Sequence, residues 1–131
     1  MPRSSKSVSL AGLFAALADS TRLRLLNLMA GREVCVCHFV EILGQSQPKI
    51  SRHLAYLRQA GLVAARREGK WMHYSICAPV DTAASSILSA ALAALGNDRQ
   101  MRADRNKLGR ACLTASPTGN NPSCCRKAES A

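Results

Sequence analysis

The residues best able to do chemistry in this 131-residue chain are its six cysteines, Cys35, Cys37, Cys77, Cys112, Cys124 and Cys125. Thiols staple secreted folds, exchange electrons or hold soft ions, and spacing separates these uses. The Cys35-Val36-Cys37 and Cys124-Cys125 pairs would close almost no loop, so they make poor staples. The stretch from Val8 to Ala18, behind Arg3 and Lys6, imitates a secretory leader. It runs on through Asp19-Ser20 into a second leucine-rich segment, as a helix hairpin would. The cysteines therefore read as reduced thiols in a cytoplasmic protein. Soft thiolates select soft, thiophilic ions. In a regular helix Cys35 and Cys37 would point about 200° apart, so they can share one ion only where the helix start is irregular or unwinds. Cys77 is expected to pack on the core. His38 reads as a partly exposed polar histidine before it reads as an auxiliary ligand. No catalytic base, phosphate loop or cofactor motif accompanies the thiols. An enzyme exchanging electrons through them is the weaker reading; the chain is expected to be no enzyme and to carry no cofactor.

The elements that position these groups follow from spacing. Val8, Leu10, Leu13, Phe14 and Leu17 mark a first amphipathic helix, and Asp19 or Ser20 caps a second that ends at Gly31. A short third helix near Cys37 to Leu43 stops at Gly44. Ser46-Gln47-Pro48 opens a fourth, with Ile50, Leu54 and Leu57 as its buried stripe. Two strands, Leu62 to Arg67 and Trp71 to Ile76, form a hairpin turning at Glu68-Gly69, with His73 and Ser75 on the face opposite Met72, Tyr74 and Ile76. After Pro79 an alanine-rich helix carries Leu88, Leu92 and Leu95. Residues 97–131 are basic and poor in large apolar groups, and read as a disordered tail behind a domain of residues 1–96. The fold class is mainly α with a small β-wing, a winged helix-turn-helix. No segment is long enough to span a bilayer.

Charge says what the wing and fourth helix would meet. Lysine and arginine number 18 against 8 acidic residues, a net +10 that favours polyanions and leaves few carboxylates for paired-acid hydrolysis or calcium loops. With Ile50, Leu54 and Leu57 inward, Lys49, Ser51, Arg52, Tyr56 and Gln59 face out or to the flanks, a set suited to base edges and phosphates. Gln47 and His53 on the same helix, and Arg66, Arg67 and Lys70 on the wing, complete the candidate DNA-binding residues. Two reading helices need a two-fold axis to match a palindromic site, so a homodimer on an inverted repeat of double-stranded DNA is expected.

Four stretches carry a resemblance: Leu17-Ala18-Asp19-Ser20-Thr21-Arg22-Leu23-Arg24-Leu25-Leu26, Val34-Cys35-Val36-Cys37, Ser46-Gln47-Pro48-Lys49-Ile50-Ser51-Arg52-His53-Leu54 and Arg67-Glu68-Gly69-Lys70-Trp71. In this order they closely resemble the ArsR/SmtB family of metal-sensing repressors over about residues 10–95, and the Cys-Val-Cys looks like that of the repressors of arsenical-resistance operons. The resemblance implies a homodimer joined through its first and last helices, released from its operator when arsenite or antimonite binds Cys35 and Cys37. Such sensors often carry a further cysteine three positions on, where this chain has Val40. A third sulfur would have to come from Cys112, Cys124 or Cys125. Only Asp81 lies between Pro79 and Gly96 where the family's zinc sensors carry acidic residues and histidines, which argues against zinc. Cadmium, lead and methylarsenite remain as alternative inducers.

Overall fold

The computed structural model describes residues 9–114. The order is α1 (Leu10–Leu17), α2 (Ser20–Met29), β1 (Val34–Cys35), α3 (Val36–Leu43), α4 (Gln47–Gln59), β2 (Val63–Glu68), β3 (Trp71–Ile76), α5 (Thr82–Leu95) and α6 (Arg99–Thr114). Most of the helices begin on a short polar side chain that satisfies one of the amides a helix leaves open. Ser9 accepts from the Gly12 amide, Asp19 from Arg22, Ser46 from Lys49, Asp81 from Ala84 and Asp98 from Met101. The exception is α3, whose N-cap is Cys35 and whose start has no side-chain cap bond. Its end is set by Gly44, whose φ of +68° is open to glycine at little cost.

Leu13 of α1, Leu25 and Leu26 of α2, Phe39 of α3, and Ile50, Leu54 and Leu57 of α4 are all fully buried and form one core. The architecture is the winged helix-turn-helix expected from the spacing. The wing, however, is one strand wider. The antiparallel sheet has the order β1-β3-β2, with Val34 opposite Tyr74 and Cys35 opposite His73. Strand β3 is therefore central, with a strand along each edge. His73, expected on an outward face, has no exposed surface, while Tyr74 beside it is also buried.

The expected tail is the larger correction. Residues 99–114 form α6, which packs against α2 and α3, so the ordered unit extends well past residue 96. Its inward face holds Met101, Asp104 and Leu108, all buried. Asp104 takes both the Nε and Nη2 of Arg24, at 2.7 and 3.0 Å, and the Asn27 amide donates to the Met101 carbonyl at 2.9 Å. Two apolar residues make too thin a stripe to announce a helix; polar bonds to α2 complete the docking. Cys124 and Cys125 lie outside the described residues. Cys77, expected in the core, is exposed just beyond β3.

Candidate nucleic-acid interface and thiol pair

Helix α4 owes its orientation to three side chains, Ile50, Leu54 and Leu57, that leave no surface to solvent. At 100° per residue this turns Gln47, Lys49, Arg52 and Tyr56 outward, and all four are exposed. Ser51 and His53 sit on the flanks, half-buried. The outer surface thus carries an amide, two cations and a phenol, the donors that phosphates and base edges accept.

Arg22 of α2, a residue with no role expected from its spacing, organises the back of this surface. Its Nε and Nη2 donate to the carbonyls of Ala16 and Ala15, at 2.9 and 3.0 Å, closing the open end of α1. The same guanidinium lies 4.1 Å from the centre of the Tyr56 ring, and its Nη1 is 3.4 Å from Nδ1 of His53. His53 also stands 3.8 Å from the Asp19 carboxylate. His53 is thereby held toward α2, and Tyr56 is steadied by a cation–π contact. The Arg22 backbone amide holds the Asp19 carboxyl below its usual range, helped by the charges of Arg22 and His53. An arginine three positions after the Asp19 cap could have been noticed as a candidate for such a contact, but His53 and Tyr56 are far along the chain.

On the wing the three predicted cations separate. Arg66 forms a two-pronged pair with Glu33, at 2.8 and 2.6 Å, and reaches Glu68 at 3.2 Å. Its hydrogen bond to Glu33 raises an already high pKa further. Arg67 is exposed and donates to the Gly69 carbonyl at 3.2 Å; Lys70 is exposed at the tip, 5.8 Å from the Trp71 ring centre. The turn between strands uses Gly69 at a φ of +62°. Arg67 and Lys70 are thus presented at the hairpin's end, whereas Arg66 is engaged in holding the sheet to the loop before β1.

The two thiols meet. Cys35 ends β1 with extended backbone angles of −76° and 145°, and the helix starts only after it. The roughly 200° separation that a helix would impose therefore does not apply, and the Cys37 and Cys35 sulfurs are 3.2 Å apart. Cys35 is fully buried; Cys37 is half-buried. A soft ion at about 2.3 Å from each sulfur would see them at roughly 90°, the angle suited to a pyramidal trivalent centre. Val40 is half-buried nearby in α3. His38 is buried rather than partly exposed, and its Nδ1 has no hydrogen-bond partner. Among the described residues no three histidine, cysteine or acidic side chains cluster as a metal site. Cys112 belongs to α6, the helix packed on α3.

The thiol pair stands where two parts of the molecule join. Cys35 pairs with His73 in the wing sheet, while Cys37 belongs to α3, which packs directly on α4. Cys35 thus lies in the sheet itself, and Cys37 is one helix away from the exposed face of α4.

Residues 19–65 match the family described as bacterial regulatory protein, arsR family. An arsenical resistance operon repressor of Escherichia coli is 48% identical over 80 residues, 60% of this chain and 68% of that protein. An arsenic resistance transcriptional regulator of Pseudomonas putida is 51% identical over 65 residues, 49% of this chain and 51% of that one. Thus the chain spans about half to two-thirds of the length of these relatives. Among solved structures, HlyU of Vibrio cholerae superposes with a TM-score of 0.55 at 29% identity, covering 69% of this chain and 92% of HlyU. With a winged helix-turn-helix, an exposed basic α4 and this degree of identity, the chain belongs to the arsR family of bacterial regulatory proteins, a family of transcription regulators.

Proposed function

We propose that the protein represses an arsenical-resistance operon, binding an inverted repeat as a homodimer and leaving it when trivalent arsenic or antimony binds Cys35 and Cys37. The observation that carries this reading is the 3.2 Å separation of the two sulfurs at the head of α3, immediately before the reading helix. Each thiol displaces one hydroxyl of arsenous acid as water, giving a two-sulfur chelate that keeps one hydroxyl. The ion then ties the end of β1 to the first turn of α3 and fixes how α3 sits against α4. A ligand that favours this arrangement over the DNA-binding one weakens DNA affinity, and DNA weakens the ligand's affinity by the same factor. The names of the Escherichia coli and Pseudomonas putida relatives support the choice of inducer. As a regulator that must reach DNA, it works in the cytoplasm; none of the described helices is long and apolar enough to cross a membrane.

For the dimer, α1 offers Leu10 and Phe14, each about half exposed, and α5 offers the half-buried Leu92 and Leu95. Such apolar surface on two helices that both pack on α2 is suited to an isologous contact. The reading contacts are assigned to Gln47, Lys49, Ser51, Arg52, Tyr56, Arg67 and Lys70, with His53 and Arg66 supporting them from behind.

A second reading concerns the inducer. The described residues assemble two thiols and no third ligand beside them, which matches methylarsenite, whose arsenic has two exchangeable positions. Arsenite would gain from a third sulfur, for which Cys112 on α6, or Cys124 and Cys125 beyond it, are candidates. A mobility-shift titration on the protein's own promoter with arsenite, antimonite, methylarsenite, cadmium and zinc separates these. Release by the arsenicals and antimonite but not by zinc is the expected result; release by cadmium alone would overturn the choice of inducer.

A further inference from the structure

Helix α6 is docked by one face and strongly basic on the other. Met101, Asp104 and Leu108 are buried, whereas Arg99, Arg102, Arg105 and Asn106 are exposed. Asp104 is the sole carboxylate in this helix, and its charge is taken up by Arg24. The basic side opens on a cleft at the α5–α6 elbow, lined by Gly96, Arg99, Arg102, Ala103, Arg105 and Asn106. Three guanidinium groups and a carboxamide line it with no carboxylate among them. This is the donor set of a phosphate site.

The placement of this surface follows from two residues of α2. Arg22 meets Tyr56 and His53 of α4, and Arg24 meets Asp104 of α6. Two positions on a helix differ by about 200°, so α4 and α6 lie on opposite sides of α2. The basic side of α6 therefore points away from the DNA that α4 would read.

We propose that Arg99, Arg102 and Arg105 of α6 form a second, sequence-independent DNA surface, which holds the phosphate backbone of another duplex segment while α4 is engaged. The three arginines span about 9 Å of helix, the scale of two or three successive phosphates along one strand. An anionic membrane is the poorer partner, because an interfacial helix inserts an apolar face and that of α6 is spent on α2 and α3. The inference rests on the family's DNA binding but not on the inducer.

The test fixes an operator duplex on beads, saturates it with the full chain so that the reading helices are occupied, and offers a labelled non-operator duplex at low salt. The wild type is expected to retain the second duplex, and R99Q/R102Q/R105Q to retain at least tenfold less while holding the operator equally well. The three side chains are exposed, so circular dichroism and the thermal midpoint should match wild type. Equal retention by both proteins, or none by the wild type on a saturated operator, overturns the proposal. A second measurement needs no operator recognition: in an R52A background, the same three substitutions should lower the slope of log affinity against log salt for a non-operator duplex by about 2 to 3. An unchanged slope overturns the proposal, and wild-type binding to vesicles of anionic phospholipid with that unchanged slope would reassign the surface to membrane. Failure on the operator with the slope change intact counts against the operator-reading proposal alone.

Discussion

Arg24 and Asp104, 80 positions apart, are joined by two hydrogen bonds of 2.7 and 3.0 Å, with the carboxylate wholly buried and the guanidinium partly in water. The pair is lopsided: Arg24 can recover solvent if its partner is lost, and Asp104 cannot. Arg24→Met should therefore destabilise more than Asp104→Asn, by about 3 kcal/mol against about 1–2 kcal/mol in denaturant unfolding. Equal losses would mean that α6 is held mainly by Met101 and Leu108.

Lys49→Ala and Arg52→Ala should each weaken operator binding with the fold intact, since both side chains lie off the buried stripe of α4. Loss of a base contact should cost about 1–3 kcal/mol, whereas loss of a phosphate contact should lower the salt slope by about 1. Unchanged affinity in both variants would remove α4 as the reader.

On the wing, neighbouring arginines should behave differently. Arg66→Ala breaks a partly exposed pair with Glu33 and should lower stability slightly, with a small effect on DNA. Arg67→Ala should leave the unfolding midpoint in place and reduce DNA affinity. Measuring both quantities for both variants checks the separation, and a reversed pattern would refute it.

Cys35→Ser and Cys37→Ser should each keep repression and lose release by arsenite, because oxygen binds a soft ion far more weakly than sulfur. Cys112→Ser should impair the arsenite response and spare that to methylarsenite if α6 supplies the third sulfur. Titrations followed by mobility shift distinguish the outcomes; wild-type release from either of the first two variants would place the inducer elsewhere.

Asp19 gives a pH signature. Its carboxyl is held below the ordinary 3.8 by the Arg22 amide. A depressed folded-state pKa contributes stability above the unfolded value and loses it as pH falls through the folded one. The stability of the wild type should fall as pH drops below about 4, and Asp19→Asn, which keeps a capping oxygen, should show a shallower fall over that window. Parallel acid limbs would assign the cap no electrostatic part.

What was legible in the sequence was what is local. Ser46 and Pro48 announce α4, and Ile50, Leu54 and Leu57 give its inward face within two turns. The hairpin from Val63 to Ile76 was visible in the same way. Strand β1 was not, because two residues become a strand only by pairing with Val34's and Cys35's partners, Tyr74 and His73. That pairing buries His73 and takes Cys35 out of the helix, so the thiol geometry was hidden with it. Helix α6 was missed because its attachment runs through Arg24 and Asn27, about 75 to 80 positions away. The outward residues of α4 could be named from its wheel, but the engagement of Arg66 by Glu33 needed the fold.

The contacts of Arg22 set a length. One guanidinium closes the end of α1 and lies against Tyr56 of α4, so the helix offered to a second subunit and the helix offered to DNA move as one body. In the proposed dimer this makes the molecule a caliper with stiff arms. The gap between its two reading helices is then fixed by α1 packing and transmitted without slack. Operators whose half-sites are moved apart by even one base pair, which also rotates them around the duplex, should be rejected. An Arg22→Ala protein, its arms loosened, should accept both spacings while gripping either less firmly.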